Sequence, residues 1–162
     1  MIYDVVDSLY YFYQNPIVWS DTSQFSADSI KMSMKNSALD KIYLTQKAFI
    51  LNSPDNIFFN QIKGKSITAH FIEKELRKMD VEGNAESVYF ALDDEDGYIG
   101  ANKTISSEMQ LFFGSNQVER IKFYNAPQAK LTPMNQVVDF NFRLDGYNWV
   151  EPPKRPLTKK DL

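Results

Sequence analysis

The stretch that decides the fold is KSITAHFIEKELRKMDVEGNAESVYF, residues 65 to 90. It allows two interpretations. Helix-favouring Glu, Lys, Leu and Arg are frequent in it, and apolar residues fall near helical spacing at Ile67, Phe71, Ile72, Leu76 and Met79. Residues 66–71, however, alternate strictly between polar and apolar side chains, as a half-buried β-strand does. Periodicity within this stretch alone does not separate a helix from a strand.

An internal repeat decides between them, because three segments of the chain share one pattern. The segments are residues 28–44, 65–81 and 107–123, offset by 37 and then 42 residues. Each has apolar residues at alternate positions, a short polar break (KNS, EKE or GSN) and a second apolar run. Gly-Ser-Asn between two alternating runs is a hairpin signal. All three segments are therefore predicted to be β-hairpins, and the helical appearance of 65–81 is predicted to be accidental.

One position in each second run breaks the alternation. Leu39 lies three residues before Ile42, and the other two segments repeat this spacing, so strict alternation would put the two side chains on opposite faces. A β-bulge around Lys41, Lys78 and Arg120 would return them to one face. The alternative is that Leu39 and its counterparts cover an edge at the turn.

The whole chain is predicted to be all-β, an elongated antiparallel sheet built from stacked hairpin units of about 40 residues. Residues 1–126 form the repeated hairpin domain. Within it, residues 8–21 resemble a degenerate earlier copy, with Leu9, Tyr11 and Tyr13 at the alternate positions and Asn-Pro at the turn.

The C-terminal part, residues 127–162, holds five of the seven prolines. It is predicted to be an irregular tail that packs on the sheet or caps it, because proline cannot donate to a strand ladder. Its aromatic residues Phe142, Tyr147 and Trp149 are interpreted as anchors onto the sheet rather than as a ligand platform.

Composition excludes several functional classes. The net charge of −3 and the pI of about 5.2 argue against a nucleic-acid partner, which requires a basic face. The absence of cysteine excludes disulfides, zinc-thiolate sites and cysteine nucleophiles. No run of about 20 apolar residues is present for a membrane helix, and the acidic start lacks the basic region of a signal peptide.

No catalytic, metal or cofactor site is predicted. The single histidine, His70, shares the polar parity of its strand and is interpreted as a surface residue. KGKSIT lacks the first glycine of a phosphate-binding loop. DDEDGY, residues 93–98, lacks the twelfth-position acid of a calcium loop and is interpreted as a solvated turn closed by Gly97. The chain is predicted not to be an enzyme; a jelly-roll glycosidase would need two facing inward carboxylates, which the pattern does not offer.

The alternate apolar positions of the hairpins form one predicted inner row. Its members are Ile30, Met32, Met34, Ile42, Leu44, Ile67, Ala69, Phe71, Met79, Val81, Met109, Leu111, Phe113, Ile121 and Phe123. This row either closes into a packed core or lines an apolar trough between sheet faces that do not meet. Flexible methionines would adapt to acyl chains in such a trough, and the sequence pattern leaves both alternatives open.

Three stretches resemble the OstA/LptA family of periplasmic lipopolysaccharide-transport proteins. They are FSADSIKMSMKNSALDKIYLTQKAFI (25–50), FNQIKGKSITAHFIEKELRKMDVEGNAESVYFALDD (59–94) and LDGYNWVEPPKRP (144–156). The ADSI opening, the VEGNA closing and the repeat of about 40 residues carry the resemblance, which covers roughly residues 8–157. It implies a folded-over sheet, or β-jellyroll, with stacked units.

The resemblance also implies a function. It implies a non-enzymatic bridge segment that holds the acyl chains of lipopolysaccharide on the inner row and uses no cofactor or metal. The implied location is the periplasm, and the implied partners are lipopolysaccharide or a related lipid and outer-membrane assembly proteins that pair with its edge strands, or further copies of the chain. The chain is expected to be the C-terminal fragment of a larger member. The alternative is a structural or protein-interaction β module with a closed core.

Overall fold

The structure, a computed structural model, describes residues 2–4, 8–20, 22–53, 55–115 and 117–152. These residues form one open antiparallel sheet, with helical geometry limited to the 3₁₀ turns Met134–Gln136 and Asp139–Phe142. They include no helix that could span a bilayer. The strands in chain order are β1 Ile2–Asp4, β2 Leu9–Tyr13, β3 Ile17–Ser20, β4 Ser23–Ser26, β5 Ser29–Lys35, β6 Ala38–Asn52, β7 Asn60–Ile72, β8 Glu75–Leu92, β9 Tyr98–Gly114, β10 Gln117–Tyr124 and β11 Gln128–Pro133.

All three predicted hairpins are confirmed. β5 pairs with β6, β7 with β8 and β9 with β10, and the first two pairs are each joined by a two-residue turn. Both turn residues have positive φ in the first hairpin (Asn36 52°, Ser37 62°) and in the second (Glu73 52°, Lys74 68°). A two-residue loop with positive φ at both positions matches the right-handed twist of the paired strands. The segment 65–81 is therefore two strands, and its helical spacing has no structural counterpart.

The predicted bulges are also confirmed. Each hairpin has a register shift that leaves one residue of its second strand unpaired: Asp40 in β6, Arg77 in β8 and Glu119 in β10. The extra residue restores the face of the apolar residue before it. Leu39, Leu76 and Val118 accordingly pack against the main core cluster, so the alternative of an edge cover is wrong.

Strand order follows from the hairpins. The main path is β1-β2-β5-β6-β7-β8-β9-β10, with β4 pairing to β6, β3 to β4 and β11 to β9. Strands β6, β8 and β9 are 15, 18 and 17 residues long. Beyond a second register shift near their middles, β6 and β8 continue as residues 48–52 and 85–92.

These central shifts divide the sheet into two halves. The hairpin half carries the hairpin turns, and the tail half is the one on which the C-terminal tail packs. The hairpin half contains β1, β2, β5 and β10 with residues 38–45, 66–72, 75–82 and 108–114. The tail half contains β3, β4 and β11 with residues 48–52, 60–64, 85–92 and 98–106.

Pairs of residues with positive φ mark the crossings from the hairpin half to the tail half. They are Gln14-Asn15, Gln46-Lys47, Gly83-Asn84 and Asn125-Ala126. Because the first of these pairs carries the chain across, β2 pairs with β5 and not with β3. The hairpin expected at Asn-Pro is therefore wrong. The expected face of β2 is wrong too, since Phe12, not Tyr11, packs on the core beside Ile30.

The two halves face each other. The 13 residues of β7 would span about 43 Å if straight, yet residues from both ends, Asn60 and Phe71, line the same cavity. Ile42 and Val81 of the hairpin half are 0% exposed, which a single layer of strands cannot achieve. The main core cluster accordingly contains these two residues together with Phe25 and Ile50 of the tail half.

The C-terminal tail differs in part from its predicted form. Gln128–Pro133 is not irregular but forms β11 along β9, because Pro133 falls at the strand end, where no donor is needed. Apolar residues of the described part of the tail after β11 pack on the outer face of the tail half in a second cluster around Phe49, Val88 and Leu144. The predicted anchors Phe142, Tyr147 and Trp149 all belong to that cluster, so this interpretation is confirmed.

Candidate functional site

A cavity of about 870 Å³ lies between the two halves. It is at the end of the sheet where the β7–β8 turn faces the loops around Asp55 and Asp93. This volume lies within the range of ligand pockets and exceeds the voids of packed cores. Apolar side chains from both halves form its walls, among them Phe71, Leu76, Leu111 and Phe113 of the hairpin half and Ile50 and Ile62 of the tail half. The halves therefore pack closely along part of their length and leave an apolar space at one end.

The structure brings the predicted inner row together, with one exception. Ten members are buried in the main core cluster: Ile30, Ile42, Leu44, Ile67, Ala69, Phe71, Met79, Val81, Met109 and Leu111. Four more pack against it half-buried: Met32, Phe113, Ile121 and Phe123. Met34 is half-buried but outside the cluster.

The row divides between packed core and cavity wall. Five of its members line the cavity: Phe71, Met79, Leu111, Phe113 and Ile121. The remaining members lie away from it. A ligand in this space would thus touch one third of the row, the part nearest the hairpin turns of β7–β8 and β9–β10.

Sequence reasoning missed the opposite wall, which includes Phe25, Ile50 and Ile62. The run AFIL at 48–51 is apolar at every position, because Ile50 faces the cavity while Phe49 and Leu51 face the tail. A strand buried on both faces shows no alternation, so its parity gave no signal. Leu76 and Val118 also reach the cavity, and the bulge position was the signal that placed them.

The rim of the cavity on the tail half is acidic. Asp55, Asp93 and Asp96 line it, and Lys74 is the one cation among the described lining residues. Glu75 also lines the cavity, and its Oε2 lies 2.8 Å from Nη2 of Arg77. The acidic turn predicted at DDEDGY is present: Asp93 Oδ1 accepts the backbone N–H groups of Glu95 and Gly97, each at 2.8 Å.

A hydrogen-bonded carboxylate fixes the loop at this rim. Asp55 Oδ1 accepts the backbone N–H groups of Ile57 at 2.9 Å and Phe58 at 3.1 Å, and Tyr98 Oη donates to Asp55 Oδ2. Burial opposes the charged carboxylate, but the hydrogen bonds from Tyr98 and the backbone outweigh it, so the pKa of Asp55 lies below its ordinary value. Burial and the bond to Asp55 together raise the pKa of Tyr98 to about 12.

The Tyr98–Asp55 contact predicts a pH-dependent stability. Because the folded pKa of Tyr98 exceeds its ordinary value of 10.0, its stabilisation is complete below pH 10 and is lost as the pH rises through about 12. Tyr98→Phe should lower the free energy of unfolding by about 1 kcal/mol near neutral pH. Urea unfolding at about pH 8 and about pH 11 should show this deficit shrinking at the higher pH.

The matched control is Tyr13→Phe, at a tyrosine that is 57% exposed and makes a stacked ring contact with Tyr11. Its difference from the unmodified chain should stay within about 0.5 kcal/mol at both pH values. A Tyr98→Phe deficit that does not change with pH would contradict the hydrogen bond to an ionised Asp55.

Comparison with known proteins adds no family to this geometry. No protein-family model matches the chain. No curated protein matches it either. The resemblance to the OstA/LptA family rests on the quoted sequence stretches and stays a prediction.

Other residues singled out in the sequence lie away from the cavity. KGKSIT is part of strand β7. His70 lies half-buried on the outer face of the hairpin half, and its Nε2 is 2.8 Å from Asp80 Oδ2. Burial opposes ionisation of Asp80, yet the hydrogen bonds from Gln110 and His70 hold the pKa of its carboxyl below the ordinary value. The described residues include no group of three or more His, Asp or Glu placed to hold a metal ion.

Proposed function

We propose that this protein binds acyl chains of a lipid without catalysis, as a bridge segment in lipopolysaccharide transport and outer-membrane biogenesis in the periplasm. The observation that carries the proposal is the cavity of about 870 Å³ between the two halves of the sheet. Its walls are rich in Phe, Leu and Ile, and such surfaces gain free energy when they cover hydrocarbon instead of water. Lipopolysaccharide is the lipid that the sequence resemblance implies.

The repeated geometry supports a folded-over, jellyroll-like sheet made of stacked units. The hairpin turns begin at Asn36, Glu73 and Ser115. The offsets between them are 37 and 42 residues, the same as those between the repeated sequence segments. The crossings that begin at Gln46, Gly83 and Asn125 have the same offsets. Each unit thus contributes one hairpin and one crossing, and each buries its apolar face against the next unit.

Edge strands supply the proposed contacts with partners. Within the described residues, β10 and β11 pair only with β9, so both leave one row of N–H and C=O groups unpaired. Such an edge is a template for a further strand. The proposed partners are outer-membrane assembly proteins or another copy of the chain, added at this end.

The second candidate function is a protein-interaction module that uses the same edges and binds no lipid. It is favoured by the packed part of the inner row, since Ile42, Ala69 and Val81 are 0% exposed. Under this alternative the cavity would be an imperfection of packing, and no ligand would enter it.

Site-specific photo-crosslinking distinguishes the two functions. A photoreactive residue at Phe113 of β9 or Ile121 of β10 faces the cavity and replaces a half-buried side chain. Matched control sites on the same strands are Gln110, which bonds Asp80 on the outer face, and exposed Lys122. With purified lipopolysaccharide, crosslinking should be about tenfold stronger at the two cavity sites, because hydrocarbon gains little from the polar outer face.

Folding of each probe variant is checked by the circular dichroism of the sheet. Equal crosslinking at all four sites would indicate surface adsorption. The absence of crosslinks at Phe113 and Ile121 in folded protein would overturn the lipid-binding function and leave the interaction module.

A further inference from the structure

The rim of the cavity carries information about the polar head of the ligand. Building on the proposed acyl-chain binding, we propose that the cavity accepts lipids whose head carries no net negative charge at the rim. Two head chemistries meet this condition, a zwitterionic head and a phosphorylated head neutralised by divalent cations. The discriminating residues are Asp55, Asp93 and Asp96 on the wall, extended by Asp94 and Glu95 in the same turn.

Few positive charges oppose these acids. Lys74 lines the cavity from the β7–β8 turn, and Arg77 is engaged with Glu75 at 2.8 Å. The carboxylate of Asp55 accepts the backbone N–H groups of Ile57 and Phe58, and such bonds favour its ionised form. The rim on the tail half therefore has a fixed negative charge. A lipid head would lie at this rim if its acyl chain occupied the cavity.

Apolar side chains beside the acids place the head at this rim. Leu92 lines the cavity and is 42% exposed, and Ile57, between the lining residues Asp55 and Phe58 in the chain, is 66% exposed. Leu92 directly precedes the acidic turn, and Ile57 belongs to the loop held by Asp55. The upper part of an acyl chain would cover them, and its head would then contact the carboxylates.

The acids discriminate through their field, not as a metal site. No group of metal-ligating side chains is present in the part of the chain that the structure describes. In water, two unit charges about 10 Å apart change an affinity about twofold at low salt. Several uncompensated carboxylates should therefore weaken the binding of an anionic head about tenfold. Divalent counter-ions have to arrive with the lipid to remove this penalty.

Two lysophospholipids with the same acyl chain test the inference. Lysophosphatidylcholine is zwitterionic and lysophosphatidylglycerol is anionic, and each is titrated against an uncharged fluorescent probe bound to the full chain. At low ionic strength with EDTA, the anionic lipid should displace the probe about tenfold less well. Millimolar Mg²⁺ should reduce this difference to about twofold and leave the zwitterionic lipid unchanged.

A charge-neutralised variant provides the matched comparison. Asp94→Asn with Asp96→Asn removes two rim charges at exposed turn positions, and asparagine tolerates the positive φ of 60° at Asp96. In EDTA, this variant should bind the anionic lipid about threefold better than the unmodified chain does, with an unchanged thermal midpoint.

The outcomes separate the two proposals. Equal displacement by both lipids in EDTA would overturn the head-group inference while acyl-chain binding stands. Failure of both lipids to displace the probe, together with no crosslinks at Phe113 and Ile121, would overturn the proposed function and this inference with it.

Discussion

Replacement of Gln61 by alanine should lower the free energy of unfolding by about 2–5 kcal/mol. Gln61 is 2% exposed in β7 and connects the sheet to the tail. Its Nε2 donates to the carbonyl of Phe142 at 2.8 Å, and its Oε1 accepts the backbone N–H of Leu144 at 2.7 Å. Alanine would leave both backbone groups of the tail without a partner, next to a new void.

The loss should be visible first in the tail. Both tryptophans of the chain report on it: Trp149 packs on Phe59 with ring centroids 5.0 Å apart, and Trp19 Nε1 donates to the carbonyl of Val150 at 3.0 Å. Urea unfolding should therefore show a tryptophan fluorescence transition at lower urea than the circular dichroism transition of the sheet. In the unmodified chain the two transitions should coincide.

The control for Gln61 is Gln128→Ala at an exposed position of β11. It removes an amide of the same size and should change the free energy of unfolding by less than about 0.5 kcal/mol. A Gln61→Ala loss as small as that of the control would show that the tail is held without this side chain.

Gly64→Ala should cost about 1–3 kcal/mol of the free energy of unfolding, because the bend of β7 brings its backbone against β8. A Cβ atom at Gly64 would lie 2.7 Å from Cγ1 of Val81 and 3.2 Å from the carbonyl oxygen of Glu82. Val81 is fully buried, and its branched side chain has few rotamers with which to move aside. Overpacking at a closed site is the expected result.

A double-mutant cycle tests the contact itself. Val81→Ala removes Cγ1 and should cost about 1–3 kcal/mol alone, since it leaves a void in the core. Combined with Gly64→Ala, it should cost at least about 1 kcal/mol less than the sum of the two single changes, because the added methyl group then has space. Denaturant unfolding of the four proteins measures this coupling.

Gly97→Ala is the matched glycine control. A Cβ there would lie 2.9 Å from Oδ2 of Asp93, at the end of an exposed side chain, where a small shift of the carboxylate relieves the contact. Its cost should stay below about 1 kcal/mol.

In the double-mutant cycle, additive costs for Gly64→Ala and Val81→Ala would mean that β7 and β8 separate at the bend without strain.

Local sequence patterns determined the hairpins, the bulges and the inner row. Alternation over 66–71 indicates which side chains share a face, and the polar break at Glu73 indicates where the chain reverses direction. The displaced Leu76 required one extra residue, and the bulge at Arg77 supplies it. These features depend on residues a few positions apart, so a sequence contains the information directly.

Only the tertiary structure decided how the strands fold back and what the fold encloses. The crossing at Gln14-Asn15 resembles a hairpin turn locally, but the strands on either side of it do not pair with each other, because β2 pairs with β5 and β3 pairs with β4. The apolar run 48–51 shows no alternation of polar and apolar residues, because the tail covers the face that would otherwise be exposed. The same holds for Gln61, whose partners lie more than 80 residues away, and for the contact of Asp55 with Tyr98. The cavity wall, the acidic rim and the attached tail are all products of long-range packing, which alternation along a single strand does not encode.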